Sequence, residues 1–340
     1  MAAGALMAAE MAEQPARLAA LAAAWEDTAG RVARIRPSPL AGTVIVARGS
    51  SDHAGAYGRY LIELVSRRPV ALAAPSLLTL YDARTDHTGY LAVAISQSGR
   101  TPEIAATLER MCESGAAGVA ITNDADSPLA ADAALALPLG AGDEQAVPAT
   151  KTVTATMAML ALVAAGLGRP PFGADDLRRL ADAVAAVLDD PDPADAAADR
   201  LAECGRLVTV ARGLMLSAAL EAALKLKETT RIVAEGLSAA DLRHGPIAVI
   251  EPGFPVVAMH AAGPARADVV ELVAELRDRG AEVLEIADTP DAALPLPTGI
   301  PEGLAPILAV VRAQQLALAL ARRRGLDPDA PAGLTKVTAT

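Results

Sequence analysis

The stretch AISQSGRTPE, residues 94–103, sets two serines, a glutamine, a glycine and a threonine directly behind an apolar run. That run, Leu91-Ala92-Val93-Ala94-Ile95, has the length and composition of a short buried strand. Thr101, Pro102 and Glu103 then read as the opening of a helix, with a capping residue type, a proline at the first helical position and an acid in the first turn. A strand that hands over to a helix through small hydrogen-bonding residues is the unit from which α/β sheets are built. Its loop lies at the carboxyl edge, where such sheets bind ligands.

Working outward, apolar runs of strand length recur at 42–47, 70–74, 118–122 and 134–137, and a helix is predicted from about 53 to 66 behind the loop RGSSD. Such runs, alternating with helical patterns, predict a parallel sheet with helices on both faces. The acidic, proline-containing DDPDPAD at 189–195 precedes a second strand series at 207–211, 255–259 and 283–286. The expected organisation is an N-terminal helical segment (1–34), a first α/β domain (35–168), a helical linker (169–200), a second α/β domain (201–325) and a tail (326–340).

The two halves are related. Val46-Ala47-Arg48-Gly49 recurs as Val210-Ala211-Arg212-Gly213, an offset of 164 (210 − 46), and at the same offset residues 89–109 align without a gap on 253–273. Two matches at one offset indicate an internal duplication. The repeat is a comparison supplied by the chain itself. Ser96-Gln97-Ser98-Gly99-Arg100-Thr101 becomes His260-Ala261-Ala262-Gly263-Pro264-Ala265, and Ser50 and Ser51 become Leu214 and Met215. The scaffold therefore does not demand the hydroxyls. Hydroxyls in two neighbouring loops, added to backbone N–H groups at two helix starts, make a site for an anion, and a phosphate monoester is its natural guest.

Composition narrows the class. The 340 residues suffice for two domains with separate cores. A hydrophobic content of 52% owes much to alanine, and the longest uncharged run, Thr152 to Gly168, reads as a buried or interface helix rather than a membrane span. A net charge of −11 leaves no footprint for nucleic acid. Cys112 and Cys204 form no CxxC pair, and four scattered histidines suggest no zinc site. With Glu10 and Glu13 in place of a signal sequence, a cytoplasmic protein without metal or cofactor is expected.

The segments RGSSDHAG, ISQSGRTPE, VPATK, ALEAALKLKE, AEGLSAADLRHGPIAVI and the tail TKVTAT together resemble the sugar isomerase (SIS) domain proteins. They are most similar to the isomerase half of glucosamine-6-phosphate synthase and to stand-alone SIS-type glucosamine-6-phosphate deaminases. The resemblance implies two tandem SIS domains of flavodoxin-like, doubly wound α/β topology. It also implies that Ser50, Ser51, Ser96, Gln97, Ser98 and Thr101 hold a sugar phosphate and that the backbone of Val147 contacts the sugar. Two positions depart from the synthases, which usually carry Ser where Ala149 stands and Glu where Arg100 stands.

Glu221, Lys225 and Glu228 are spaced i, i+4, i+7, which from spacing alone describes a surface ion-pair ladder on one helix face. The resemblance assigns them to chemistry instead. Glu228 matches the base that moves a proton between C1 and C2, with Lys225 and Glu221 orienting it. His244 matches a histidine that opens the sugar ring in the neighbouring subunit's site, which implies a homodimer, whereas His53 reads as structural. Lys336, in a tail whose composition predicts fraying, matches a lysine that meets the open-chain sugar, as Schiff-base former or proton carrier. The segment before the first strand holds no glutaminase domain, so release of ammonia from an amino-sugar phosphate is the expected direction. A fructosamine-6-phosphate deglycase, a pure aldose–ketose isomerase and a non-catalytic sensor are the alternatives.

Overall fold

The computed structural model describes residues 2–336. Three helices come first: α1 (Ala5–Ala12), α2 (Gln14–Ala23) and α3 (Trp25–Ile35). The first strand series runs β1 (Gly42–Val46), α4 (Ser50–Ser66), β2 (Val70–Leu72), α5 (Pro75–Thr79), β3 (Tyr90–Ile95), α6 (Pro102–Glu113), β4 (Ala117–Thr122), α7 (Pro128–Asp132) and β5 (Leu135–Pro138). Helices α8 (Lys151–Leu167), α9 (Ala174–Leu188) and α10 (Asp192–Leu201) follow. The second series runs β6 (Arg206–Ala211), α11 (Leu216–Thr230), β7 (Val233–Ser238), α12 (Ala239–Arg243), β8 (Pro255–His260), α13 (Arg266–Asp278), β9 (Glu282–Ala287), β10 (Leu294–Pro295) and α14 (Ala305–Arg323).

The chain divides into two compact units. One holds residues 16–144 and 151–178 and contains the first sheet; the other holds residues 2–15, 145–150 and 179–336 and contains the second. Each sheet is five-stranded and parallel, ordered β2-β1-β3-β4-β5 and β10-β9-β8-β6-β7. Renumbered within each half, both read 2-1-3-4-5, the doubly wound order in which the chain reverses direction between its first and third strands. Register repeats as well: Val46 lies opposite Ala94 and Val210 opposite Ala258, each at the offset of 164 seen in the sequence (210 − 46, 258 − 94).

Alternation along β1 and β6 places helices on opposite faces at that reversal. Val44 and Val46 bury against Ile104 and Leu108 of α6, whereas Ile45 faces α4 and α8, where a Cβ on Gly58 would meet Ile45 and Leu160. In the second sheet Val208 and Val210 pack on Leu272 and Leu276 of α13, and the Thr209 hydroxyl donates to the Ala219 carbonyl of α11 at 2.7 Å. Loops leaving adjacent strands toward opposite faces open a crevice at the carboxyl edge, and that crevice is where side chains for a ligand can gather. The uncharged run at 152–168 forms α8 and is almost wholly buried.

Three elements differ from expectation. Strands β7 and β10 extend the second sheet at its two edges. Strand β7, VAEGLS, is polar and partly exposed, and β10 is two residues long, so neither carries the apolar run of a central strand. Helix α4 begins at Ser50 rather than at 53, so both serines occupy its first turn instead of the preceding loop.

Strand β7 runs very close to α11. A Cβ on Gly236 would lie 2.8 Å from Leu220 Cα and 3.0 Å from the Ala219 carbonyl oxygen, both of them backbone. Gly236→Ala is expected to lower stability by roughly 1–3 kcal/mol, the cost of overpacking. Urea unfolding will read this as a lower midpoint at unchanged slope, with Gly205→Ala, whose Cβ meets nothing within 4 Å, as the neutral control.

Candidate active site

At the first carboxyl edge, Gly49 (φ 59°, ψ −134°) turns the chain from β1 into α4 and sets Ser50 and Ser51 in the first helical turn. The neighbouring loop, 96–101, is pinned by backbone bonds: Ser96 N–H to the Ile121 carbonyl at 3.1 Å, Gly99 N–H to Ser96 at 3.1 Å, and Asn123 N–H to Gln97 at 3.0 Å. Gly99 is required twice over. Its φ is +62°, and an added Cβ would sit 2.1 Å from the Ser127 hydroxyl. Ser96 is buried, with its hydroxyl 3.1 Å from that of Thr101.

Thr101 holds the N-cap position of α6, yet its side chain makes no capping bond. Its hydroxyl is turned to Ser96 instead, on the loop side of the helix start. Arg100 leaves this cluster and pairs with Asp124 at 2.9 Å. A cation does stand at the rim: Arg48, two residues past the end of β1, bridges to Glu103 in the first turn of α6 at 2.8 Å and so ties the two loops together. Sequence reasoning passed over Arg48, although the VARG repeat had placed an arginine in both halves. Asp52, also in the first turn of α4, has its carboxyl pushed above the ordinary value by burial, with His53 and Arg48 acting in the opposite sense.

The equivalent loop of the second sheet is closed by the protein's own acids. His260, at the position of Ser96, is buried with Nε2 2.9 Å from Glu285. The Ala262 N–H donates to the Asp288 carboxylate at 3.0 Å, and a Cβ on Gly263 would strike the Glu302 carboxyl carbon at 2.3 Å. The His260 hydrogen bond, helped by Arg277, holds the Glu285 carboxyl below its ordinary value, while burial raises that of Glu302. Carboxylates, two of them paired with Arg266 and Arg277, stand where the first sheet offers hydroxyls, so the two edges differ in residue type.

Helix α11 carries Glu221, Lys225 and Glu228, and the ladder is not on the surface. Glu221 and Lys225 are each 1% exposed, whereas about a fifth of the Glu228 side chain (21%) reaches solvent. The Lys225 ammonium contacts Glu228 Oε2 directly and lies 3.5 Å from Glu221. A buried ammonium held by two carboxylates on its own helix fixes their rotamers, and the member left with an accessible edge is Glu228.

The remaining residues of the expected set lie in the same unit as α11. His244 ends α12, exposed and followed by Gly245 at φ 135°. It borders a cleft of about 560 Å³ with Arg212, Arg243 and Asp268, in which Arg243 pairs with Asp268 at 2.7 Å and with Glu275 at 3.3 Å. Lys336 donates to the Ala146 carbonyl at 2.7 Å, beside Val147, whose N–H donates to the Asp329 carbonyl at 3.2 Å. Of the tail, residues 337–340 lie outside the described part. The structure thus gathers Ser50, Ser51, Ser96, Gln97, Ser98 and Thr101 at one strand edge, Glu221, Lys225 and Glu228 on one helix, and Lys336 against the loop of Val147.

The sequence matches the SIS domain family over residues 43–166 and 200–297. The chain belongs to the SIS domain family. A solved structure from Silicibacter pomeroyi DSS-3, provisionally described as a phosphosugar isomerase, is 33% identical, with a TM-score of 0.85 over 95% of this chain and 99% of that one. The C-terminal domain of glucosamine-fructose-6-phosphate aminotransferase from Francisella tularensis is 25% identical with a TM-score of 0.86, over 96% and 98% of the two chains. Among curated proteins, the glutamine–fructose-6-phosphate aminotransferase (isomerizing) of Methanothermobacter thermautotrophicus is 32% identical over 96% of this chain and 56% of its own. This SIS chain spans about half the length of the curated relatives it matches. Among the described residues no helix is long and apolar enough to cross a membrane, and no group of His, Cys, Asp and Glu is placed to hold a metal ion.

Two outcomes follow from these environments. Lys225→Met removes the ammonium that two carboxylates share, one of them fully buried, and is expected to cost about 3–5 kcal/mol. Adding Glu221→Gln and Glu228→Gln should return much of that loss in urea unfolding. Asp52 has a folded-state value above its ordinary 3.8, so its neutral form favours folding. Stability from this group is complete at low pH and is lost as pH rises from 3.8 through the folded value. Asp52→Asn is therefore expected to melt higher than the unaltered protein at pH 7, with the difference vanishing below pH 3.8.

Proposed function

We propose that this chain is an SIS-type phosphosugar isomerase acting on an amino-sugar phosphate, and that it converts glucosamine 6-phosphate and water to fructose 6-phosphate and ammonia. The observation that carries this reading is the state of α11: a buried lysine clamped between two carboxylates, with only Glu228 left an accessible edge. Such an arrangement suits a base that must meet a carbon acid. The relatives named as phosphosugar isomerase and aminotransferase, and the hydroxyl cluster with its arginine rim, support a phosphorylated sugar as the substrate.

In this reading the hydroxyls of Ser50, Ser51, Ser96, Ser98 and Thr101, with Gln97, take the phosphate, and the Val147 backbone contacts the sugar. His244, exposed at the end of α12, opens the ring in the site of a second subunit, which makes the working unit a homodimer. Glu228 takes the proton from C2 of the open aldehyde form and returns it to C1. An imine is left at C2, and water hydrolyses it to the ketone and ammonia. Lys225 holds the Glu228 carboxylate, and Lys336 attends the carbonyl end.

Ammonia release should be measured from glucosamine 6-phosphate, galactosamine 6-phosphate and a fructosamine 6-phosphate. Turnover of the first is expected, with a loss of about 10²–10⁴-fold in Glu228→Gln. Turnover of the fructosamine 6-phosphate alone would make the chain a deglycase, and binding of all three without turnover would make it a sensor. Full activity in Glu228→Gln removes that residue from the role of base.

A further inference from the structure

Three stretches remote in sequence meet in the unit built on the second sheet: the start of α1, residues 145–147, and the tail from 327 to 336. Helix α1 has no capping side chain of its own. Gly4 occupies its N-cap position at φ 69° and makes no side-chain bond. The tail supplies the missing acceptors. Asp327 Oδ1 accepts from Gly4 N–H at 3.0 Å, and Asp329 accepts from Leu6 N–H at 2.9 Å and from Met7 N–H at 2.8 Å. Free N–H groups and the positive end of the helix dipole both favour carboxylates at this point.

A second set of bonds runs back from α1. Glu10, one turn along and 5% exposed, accepts from Ala146 N–H at 3.2 Å and also from Gln145 N–H. The Asp329 carbonyl accepts from Val147 N–H at 3.2 Å, and the Ala146 carbonyl accepts from Lys336 at 2.7 Å. The circuit is closed: α1 holds the tail through Asp329, the tail holds residues 146 and 147, and α1 holds the same loop through Glu10. Met7 and Met11 of α1 bury with Ala146 and Leu318, which anchors the helix that does the holding.

We propose that Asp329, assisted by Asp327 and Glu10, is a positioning residue: it fastens the tail to the start of α1 and thereby sets the Lys336 ammonium beside Val147. The proposal rests on the reading of Lys336 as the lysine that meets the open-chain sugar. The tail between Asp329 and Lys336 has no regular secondary structure, so orientation of the ammonium comes from the two ends of this segment. Asp329 is one end. Removing it frees the lysine over a longer tether without touching the phosphate cluster or the base on α11.

The test is Asp329→Ala and Asp329→Asn in the full chain, the second keeping one acceptor. For Asp329→Ala, kcat on glucosamine 6-phosphate is expected to fall by about 10–100-fold, the scale set by small misplacements of a reacting group. KM is expected to hold, because binding contacts elsewhere are intact. Asp329→Asn should fall between the two and stands in if the alanine variant does not fold. Backbone deuterium exchange at 145–147 and acylation of Lys336 by an amine-reactive ester should both accelerate. These two readouts need no turnover, so they judge the latch even if no sugar phosphate is a substrate, in which case only the proposed reaction falls. Unchanged exchange and acylation, or unchanged kcat with only a lower melting temperature, would overturn the positioning role.

Discussion

An ammonium group sealed inside a protein must be met by carboxylates, and on α11 this requirement organises much of what surrounds it. Burial of Lys225 is offset by Glu221 and Glu228, which stand one turn before and after it. Burial of that face by the packed structure, not the pairing itself, is what makes the two carboxylates indispensable. Away from the charged face, β7 comes close to the helix by presenting a glycine, Gly236, against its backbone at Ala219 and Leu220. The Thr229 hydroxyl, bonded to the Lys225 carbonyl at 2.8 Å, locks the same turn. Charge pairing and close strand approach hold α11 from different sides.

The duplicated sheets show which features belong to the scaffold and which to the site. Strand order, register and the glycine at the end of the first strand recur in both halves. What does not recur is the chemistry of the carboxyl edge. One edge gathers hydroxyls and the other fills with a histidine and three acids, while an arginine-bridged rim, Arg48 to Glu103 in one and Arg212 to Asp268 in the other, is common to both. Two copies of a fold can diverge at their edges because the core is satisfied within the strands and helices, which leaves the loops free of most structural demand beyond their turns.

How much could be read from the chain follows the same division. The central strands and the repeat were legible because buried parallel strands are written as unbroken apolar runs. Strand β7 was not, since VAEGLS at a sheet edge carries a glutamate and a glycine where a central strand would carry valine. The spacing of Glu221, Lys225 and Glu228 is the same for a surface ladder and a buried clamp, because spacing states which residues share a face and not what that face meets. The resemblance to SIS proteins pointed to chemistry there; burial comes only from the packed structure. Asp329 lay hidden for another reason. Its partners are 323 and 322 residues away, and its local sequence, rich in proline and glycine, reads as a loose end.

The acids at the second edge carry a consequence for stoichiometry. An incoming phosphate would there have to displace Asp288 from the Ala262 N–H and crowd Glu302 beside Gly263, bringing like charges together. Duplication built two such edges, and under the proposed function only the first takes the phosphate. On the proposed reading of the first edge, a titration with a phosphorylated ligand counts a single equivalent per chain, and any cooperativity in its response arises between chains rather than between the two halves of one.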